Sequence, residues 1–127
     1  MNLVDSSGWL EYFADGKNAK FFAPALEDIE NLIIPTICLL EVFKRILQQR
    51  TEDEALRAVA TMQQGNVVTL DVPISLVAAK LSYDLKLPLA DSVILATARA
   101  FDAVIWTQDA DFKGITGVKF IEHKMGS

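Results

Sequence analysis

Short apolar runs alternate along this chain with longer segments of helical periodicity, and this alternation restricts the fold more than any other feature. The β-like runs cover Asn2–Asp5, Leu32–Pro35, Val67–Asp71, Ala103–Thr107 and Val118–Glu122. The helical patterns cover Ser7–Ala14, Asn18–Asn31, Thr36–Gln49, Glu52–Gln63, Pro73–Leu85 and Leu89–Phe101. Strands separated by helices pair in parallel through right-handed crossovers. The sequence therefore predicts an α/β fold with three layers (α/β/α) and a central, mostly parallel sheet of four to five strands.

Length and composition set the size and class of the protein. A chain of 127 residues is long enough for one domain with a real core and too short for two, so we expect a single domain over residues 1–127. Hydrophobic residues make up 51% of the chain, yet no run approaches the roughly 20 residues of a membrane span. The N-terminus lacks the basic segment of a signal peptide, which predicts a cytoplasmic protein.

Four acidic residues occupy positions where a carboxylate is difficult to explain as solvated surface. Asp5 and Asp109 follow apolar runs, whereas Glu41 interrupts an apolar helix and Asp91 stands near the start of another. The ends of parallel strands meet at one edge of a sheet, where open α/β sheets form their sites. Carboxylates gathered there would repel one another unless cations were bound, and oxygen-only ligands suit Mg²⁺ or Mn²⁺. The pattern predicts metal-dependent phosphate chemistry.

Asp5 and Glu41 each have an ordinary structural explanation as well. Asp5 could cap the helix that follows it, although Ser6 and Ser7 are also able to cap and would then leave Asp5 free. Glu41 lies on the polar face of its helix and could form an ion pair with Arg45, four residues later. The same face of the helix could instead line a cleft.

Asp91 has two alternative positions relative to its helix. If the helix includes Asp91, its neighbours on that face are Ile94, Leu95 and Ala98. A lone carboxylate on this apolar stripe needs a cation or strong hydrogen bonds. Alternatively, Asp91 is the N-cap of a helix that begins at Ser92. The sequence leaves both alternatives open.

Asp109 belongs to the segment Thr107-Gln108-Asp109-Ala110-Asp111, directly after the most hydrophobic strand. A turn cap would explain Asp109 alone. Two acids and a threonine hydroxyl within five positions are better suited to a hard metal ion than a cap requires. We rank Asp111 second, because we expect its side chain to face solvent.

Missing residues exclude several other kinds of site. His123 is the only histidine, so a paired-histidine ribonuclease mechanism and a serine hydrolase triad are both excluded. Cys38 is the only cysteine and lies in an apolar helix, where we expect a small core residue rather than a zinc ligand. The net charge of −5 means that a nucleic-acid substrate would require local basic residues or bound cations.

Four segments resemble the successive motifs of PIN-domain nucleases. They are Val4-Asp5-Ser6-Ser7, the mid-helix Glu41, Leu89-Ala90-Asp91-Ser92-Val93-Ile94-Leu95-Ala96-Thr97-Ala98 and Thr107-Gln108-Asp109-Ala110-Asp111-Phe112. Their order and the chain length are similar to those of VapC-type toxins from bacterial and archaeal toxin–antitoxin pairs, and the resemblance covers essentially the whole chain. It implies a PIN-like fold and cleavage of RNA that depends on Mg²⁺ or Mn²⁺.

By position, the resemblance implies a catalytic and metal-binding quartet of Asp5, Glu41, Asp91 and Asp109. The mechanism we expect is metal-assisted hydrolysis of a phosphodiester bond. One cation would be held by Asp5, Asp91 and Asp109, and Glu41 would coordinate directly or through water. A second cation could arrive with the substrate.

The resemblance also implies supporting residues and partners. Ser6 and Thr107 would support the site through hydroxyl hydrogen bonds, with Asp111 in a supporting position. Lys44 and Arg45 are candidates for contacts with the RNA backbone. We expect a cognate antitoxin whose Arg or Lys enters the carboxylate cluster, and a homodimer of the chain.

Two competing interpretations come from other functional classes. A phosphoacceptor receiver domain also gathers acids around Mg²⁺, and Asp71 and Lys119 could serve as its aspartate and lysine, although Glu41 would remain unexplained. A non-catalytic PIN-like domain would only bind a partner or RNA, and it would be favoured by a titration that finds no Mn²⁺ site.

Overall fold

A five-stranded sheet flanked by six α-helices makes up the described part of the chain, which in this computed structural model is residues 1–124. The strands are β1 (Asn2–Val4), β2 (Leu32–Pro35), β3 (Asn66–Val68), β4 (Val104–Thr107) and β5 (Val118–Phe120). The helices are α1 (Ser6–Phe13), α2 (Ala19–Glu27), α3 (Thr36–Gln49), α4 (Glu52–Met62), α5 (Val72–Leu85) and α6 (Leu89–Ala100). Single 3₁₀ turns follow α2 at Ile29–Asn31 and β4 at Ala110–Phe112.

The order of the strands fixes where a site can form. All pairings in the sheet are parallel, and the order is β3-β2-β1-β4-β5. The chain moves from β1 to β3 in one direction and then returns past β1 to β4 and β5. Right-handed crossovers therefore place α1–α4 on one face and α5–α6 on the other. The direction reverses between β1 and β4, and open α/β sheets bind ligands beyond the strand ends at such a switch point. The predicted three-layer parallel fold is confirmed.

The central strands are buried on both faces, which explains their uninterrupted apolar sequences. Leu3 and Val4 of β1 and Ile33 and Ile34 of β2 are each at most 1% exposed. Parallel strands covered by helices on both sides have continuous hydrophobic runs rather than alternating ones. Cys38 is fully buried in α3, as predicted for a core residue. No helix within residues 1–124 combines the length and the apolar character needed to cross a membrane.

Most predicted elements differ from the structure by one or two residues at one or both ends, and the two largest errors concern β3 and α2. The strand predicted at Val67–Asp71 ends at Val68, because Asp71 is the N-cap of α5 and accepts a hydrogen bond from the Ile74 backbone nitrogen at 2.9 Å. The helix predicted over Asn18–Asn31 ends at Glu27. The next residue leaves the helical region of φ/ψ space, with φ −90° and ψ 70°, and a 3₁₀ turn follows.

The receiver-domain interpretation is contradicted by the topology. Its phosphoacceptor aspartate would have to end a central strand, but Asp71 follows β3, which is an edge strand, and its side chain caps α5. Lys119 lies on β5, at the opposite edge, where its Nζ atom is 4.4 Å from the centre of the Trp106 ring. The two residues therefore cannot share one site.

Candidate active site

Asp5 connects β1 to α1 and is held by three hydrogen bonds. Its side chain is almost completely buried, with 2% of the residue exposed. Oδ1 accepts from the Gly8 backbone nitrogen at 3.0 Å and from Ser7 Oγ at 2.7 Å, and Oδ2 accepts from Thr107 Oγ1 at 2.6 Å. Asp5 is therefore the N-cap of α1, and the expectation that the serines would cap instead is wrong. Its role in the quartet remains a prediction.

Burial raises the pKa of Asp5 to about 6, because the ionised form is deprived of water. The hydrogen bonds from Thr107, Ser7 and Gly8 favour the carboxylate and lower the pKa, but they only partly offset the burial. Repulsion from Asp109 raises the pKa further. The β1 and β4 ends therefore bring these two negative side chains close enough to interact, as the order of the strands predicts.

The turn after β4 presents Asp109 to the same strand edge. Thr107 Oγ1 accepts a hydrogen bond from the Asp109 backbone nitrogen at 2.9 Å while it donates to Asp5. Asp109 Oδ1 accepts from the Asp111 backbone nitrogen at 2.9 Å and caps the 3₁₀ turn. Asp109 thus has the capping role that the sequence allowed. Its half-buried side chain also faces Asp91, and that arrangement is not required for a cap.

Asp91 lies inside the first turn of α6 rather than at its cap. The helix begins at Leu89 and Pro88 occupies the cap position, so the N-cap alternative for Asp91 is wrong. Asp91, Asp109 and Asp111 each offer a carboxylate oxygen, and these oxygens lie within 4.8 Å of one another. We call these three residues the aspartate cluster. Asp111 is exposed, as expected, and nevertheless belongs to the cluster.

The pKa of Asp91 is raised to about 7 by several groups that act in the same direction. Burial is the largest cause, followed by repulsion from Asp109 and by the contact with Asp111 and its charge. Glu41 adds a smaller repulsion. Carboxylates this close cannot all ionise at little cost unless a cation is bound. The aspartate cluster therefore has the electrostatic character of a cation ligand set.

Glu41 reaches this region from the middle of α3. Its half-buried carboxylate accepts a hydrogen bond from Ser6 Oγ at 2.6 Å. The sequence allowed an ion pair between Glu41 and Arg45, but this pair is not among the ion pairs formed within residues 1–124. Glu41 and Asp5 both lie outside the aspartate cluster, but the charge of Glu41 raises the pKa of Asp91, and the charge of Asp109 raises the pKa of Asp5. The Ser6 hydroxyl thus donates to Glu41 and the Thr107 hydroxyl to Asp5, and the supporting role of both residues in a catalytic site remains a prediction.

The donor set of the aspartate cluster fits a hard divalent cation. Three carboxylate oxygens within 4.8 Å of one another can all reach an ion with ligand distances of about 2.0–2.6 Å. The cluster contains neither nitrogen nor sulfur ligands, which favours Mg²⁺ or Mn²⁺ over zinc. Asp5 Oδ2 accepts one hydrogen bond and keeps a lone pair available, since a carboxylate oxygen has two.

A cleft of about 900 Å³ leads away from the aspartate cluster between α1, α3 and α4, and Asp109 lies in its wall. Three of the four arginines of the chain, Arg45, Arg50 and Arg57, line it. Lys44 is exposed and does not line the cleft. The sequence analysis selected Arg45 and missed Arg50 and Arg57, because their proximity depends on how α3 and α4 pack together. The cleft is also lined by the acids Glu11, Glu54 and Asp109.

The fold and the acidic strand edge are those of a PIN domain. The family model of the PIN domain matches residues 3–118, and the chain belongs to this family. Among solved structures, a toxin–antitoxin complex from Klebsiella pneumoniae is similar, with a TM-score of 0.78, 27% identity and coverage of 94% of this chain and 96% of that one. None of the curated proteins matches the chain significantly in sequence.

Two further structures share the fold at lower identity. A DNA-bound VapBC complex from Salmonella typhimurium has a TM-score of 0.71 at 15% identity, with coverage of 96% of this chain and 98% of that one. VapBC from nontypeable Haemophilus influenzae has a TM-score of 0.70 at 20% identity, with coverage of 95% and 96%. The resemblance to the PIN family seen in the sequence is confirmed.

The raised pKa values predict how the stability of the metal-free protein depends on pH. Between about pH 4 and pH 7 the folded protein holds protons on Asp5 and Asp91 that the unfolded chain has released, because both pKa values lie above the ordinary 3.8. The free energy of unfolding should therefore fall as the pH rises through this window. We expect a loss on the order of 3 kcal/mol, because the rise of the Asp5 pKa from 3.8 to about 6 alone corresponds to that much and the half-exposed Asp91 is discounted.

Urea unfolding in EDTA at several pH values between about 4.5 and 8 measures this dependence. Asp91→Asn should make the curve flatter, because one of the two titrating groups is removed. A stability that rises steadily with pH across the window would show that these carboxylates are not strained in the metal-free fold.

Proposed function

We propose that this chain, a single domain over residues 1–127, is a cytoplasmic metal-dependent endoribonuclease and the toxin of a type II toxin–antitoxin pair. PIN domains are generally nucleases. The observation that supports the proposal best is the aspartate cluster, which lies at the switch point of the sheet and next to a cleft lined with arginines. RNA as the substrate follows from the resemblance to VapC-type toxins.

The residues divide the work between cation binding and proton transfer. Asp91, Asp109 and Asp111 would hold Mg²⁺ or Mn²⁺, with Asp5 beside them. A divalent cation bound there would supply Lewis-acid chemistry, polarising the phosphoryl group and lowering the pKa of water. Glu41, oriented by Ser6 at 2.6 Å, accepts the proton of the attacking water. Thr107 and Ser7 keep Asp5 ionised and fixed, so that it contributes charge without moving.

The cleft provides the path for the RNA strand. Arg45, Arg50 and Arg57 can neutralise successive phosphates while the scissile phosphate lies at Asp109, because the cleft reaches that residue. Arginine is suited to this task, since its planar guanidinium group binds a phosphate through two parallel hydrogen bonds. The three arginines are the local basic residues that a chain with a net charge of −5 would need in order to bind a nucleic acid.

Replacing two cleft arginines should weaken RNA binding without affecting the cation. For the double variant Arg50→Gln/Arg57→Gln we expect the KM for RNA to rise roughly tenfold or more, and the salt dependence of RNA binding to flatten by about 0.7 in log–log slope for each phosphate that the variant no longer neutralises. The Mn²⁺ affinity should be unchanged. Binding isotherms at several salt concentrations measure the slope.

Arg99→Gln is the matched control, because Arg99 is the one arginine outside the cleft and lies exposed in the last turn of α6. It should leave the KM and the slope near the wild-type values. The double variant removes two charges and the control removes one, so a control effect half as large as that of the double variant would mean that only the total charge matters, and the proposed path would be wrong.

We also propose two protein partners. The first is an antitoxin, and an Arg or Lys of this antitoxin would enter the aspartate cluster. The similar toxin–antitoxin complex from Klebsiella pneumoniae supports this proposal. The second is another copy of the chain, supported by an apolar stripe on α5 where Val72, Leu76 and Tyr83 are 72%, 68% and 85% exposed. Light scattering of the chain alone would contradict the homodimer if it found a monomer at micromolar concentration. If an antitoxin without the basic residues of its tail still inhibited the chain, the proposed insertion of an Arg or Lys into the aspartate cluster would be contradicted.

A further inference from the structure

The Glu11 carboxylate is a buried junction between three parts of the chain. Glu11 lies on α1, one turn after Ser7, and its side chain is 11% exposed. Oε2 accepts a hydrogen bond from the Asn18 backbone nitrogen at 2.8 Å, and Oε1 accepts from Gln108 Nε2 at 3.2 Å. A Cβ atom at Gly16 would overlap this carboxylate, so a side chain at position 16 would displace the Glu11 carboxylate from its place beneath the loop before α2.

Asn18 extends the junction to the C-terminal segment. It is 2% exposed, and its Nδ2 donates to Gln108 Oε1 at 2.9 Å and to the Glu122 carbonyl oxygen at 2.9 Å. The Glu122 carbonyl and the Glu11 carboxylate can only accept hydrogen bonds. The Asn18 amide must therefore point its NH₂ group towards Glu122, and the Gln108 amide must point its NH₂ group towards Glu11. Asn18 occupies the cap position of α2 without capping it, and its Oδ1 has no partner among residues 1–124. The Asn18 side chain thus makes no capping hydrogen bond to its own helix and instead connects Gln108 to Glu122.

Gln108 receives these contacts in the middle of the site, between Thr107 and Asp109. Its backbone nitrogen donates to Ser7 Oγ at 3.4 Å, while its side chain is bound by Glu11 and Asn18. Both its main chain and its side chain are therefore anchored from the α1 side. The path and tilt of the turn that carries Asp109 and Asp111 depend on this anchoring, since Asp109 follows Gln108 directly and Asp111 comes two residues later.

We propose that Glu11 is a positioning residue, which holds Gln108 so that Asp109 and Asp111 meet Asp91 at cation-binding distance. This inference rests on the proposed function, because the position of the turn matters only if the aspartate cluster binds a divalent cation. Glu11 does not belong to the cluster and acts through Gln108. Partners that orient metal ligands typically change metal affinity by about 10–100-fold when they are removed.

Titration of the purified chain with Mn²⁺, followed by the electron paramagnetic resonance signal of the free ion, measures the affinity directly. Glu11→Gln keeps the shape but has one acceptor oxygen for two donors, and we expect it to weaken Mn²⁺ binding by about 10–100-fold. Gln108→Met breaks the same contact without changing any charge and should weaken binding similarly. The double variant should be no weaker than either single variant, because both changes remove one interaction. Excess Mn²⁺ should restore cleavage in both single variants.

Glu27→Gln is the control. Glu27 accepts a hydrogen bond from the Tyr12 hydroxyl at 3.3 Å, which joins α2 to α1, and it takes no part in the hydrogen bonds that hold Gln108. Its Mn²⁺ affinity should stay within about twofold of wild type. Wild-type affinity in both Glu11→Gln and Gln108→Met would overturn the inference and leave the proposed function standing. Weakening in Glu11→Gln alone would also overturn it, because the effect would then come from charge. A wild-type chain that binds no Mn²⁺ would overturn the proposed function, and the inference with it.

Discussion

Asp91→Asn should abolish RNA cleavage and leave the metal-free protein at least as stable as wild type. The change removes a cation ligand, so we expect activity to fall by at least about 100-fold. It also removes, at nearly constant volume, a charge whose pKa is raised to about 7 by burial and by Asp109, Asp111 and Glu41. Relief of this repulsion should stabilise the metal-free fold by something on the order of 1 kcal/mol. The stabilisation given by Mn²⁺ should shrink, because a ligand stabilises in proportion to its affinity for the native state.

Thermal melts with and without Mn²⁺ separate these effects, and Asp102→Asn supplies the control. Asp102 is exposed just after α6 in a left-handed conformation with φ 51°, which asparagine adopts equally well. Its cleavage, stability and Mn²⁺ response should all match wild type. An Asp91→Asn protein that keeps full activity and the full Mn²⁺ shift would remove Asp91 from the site.

Thr107→Val should cause the largest loss of stability among the changes near the site. Thr107 is fully buried and its hydroxyl links Asp5 to the Asp109 backbone, at 2.6 and 2.9 Å. Valine fills the same space but leaves a buried backbone N–H without its partner and removes a hydrogen bond to a buried carboxylate. We expect a cost of about 2–4 kcal/mol at neutral pH. The cost should be smaller below about pH 6, because protonated Asp5 depends less on the missing donor.

Thr97→Val is a matched control for this change. Thr97 is also buried, but its hydroxyl donates at 2.7 Å to the Val93 carbonyl one turn earlier in α6. That carbonyl also belongs to the helical hydrogen-bond ladder, so we expect a loss of roughly 1 kcal/mol or less. Urea unfolding of both variants at two pH values makes the comparison. Equal losses, independent of pH, would contradict the account of Asp5 and Thr107 as one coupled unit.

The features that could be predicted from the sequence are those that local patterns determine. Continuous apolar runs identified β1, β2 and β4, since doubly covered parallel strands bury both faces. The parallel order then brought Asp5 and Asp109 to one edge. For Asp91 the sequence left two positions open, and the structure shows the one inside the helix.

The features that were missed depend on packing between distant segments. Asp111 joins the aspartate cluster because a 3₁₀ turn, capped by Asp109, folds it back towards α6, and a two-residue spacing between acids does not by itself predict that turn. Arg50 and Arg57 meet in the cleft only through the packing of α3 against α4. Glu11 and Gln108 are separated by 97 residues, and no periodicity within one element indicates that they touch.

Cleavage of RNA with and without divalent cation tests the central claim most directly. The purified chain should cleave structured RNAs with unpaired loops in Mg²⁺ or Mn²⁺, lose the activity in EDTA and regain it when excess Mg²⁺ is added back. The Asp91→Asn protein, purified in the same way, should be inactive throughout, which excludes a contaminating ribonuclease. Mn²⁺ binding without any cleavage would favour a PIN domain that only binds a partner. Cleavage by the wild-type chain that persists unchanged in EDTA would contradict the metal-dependent mechanism.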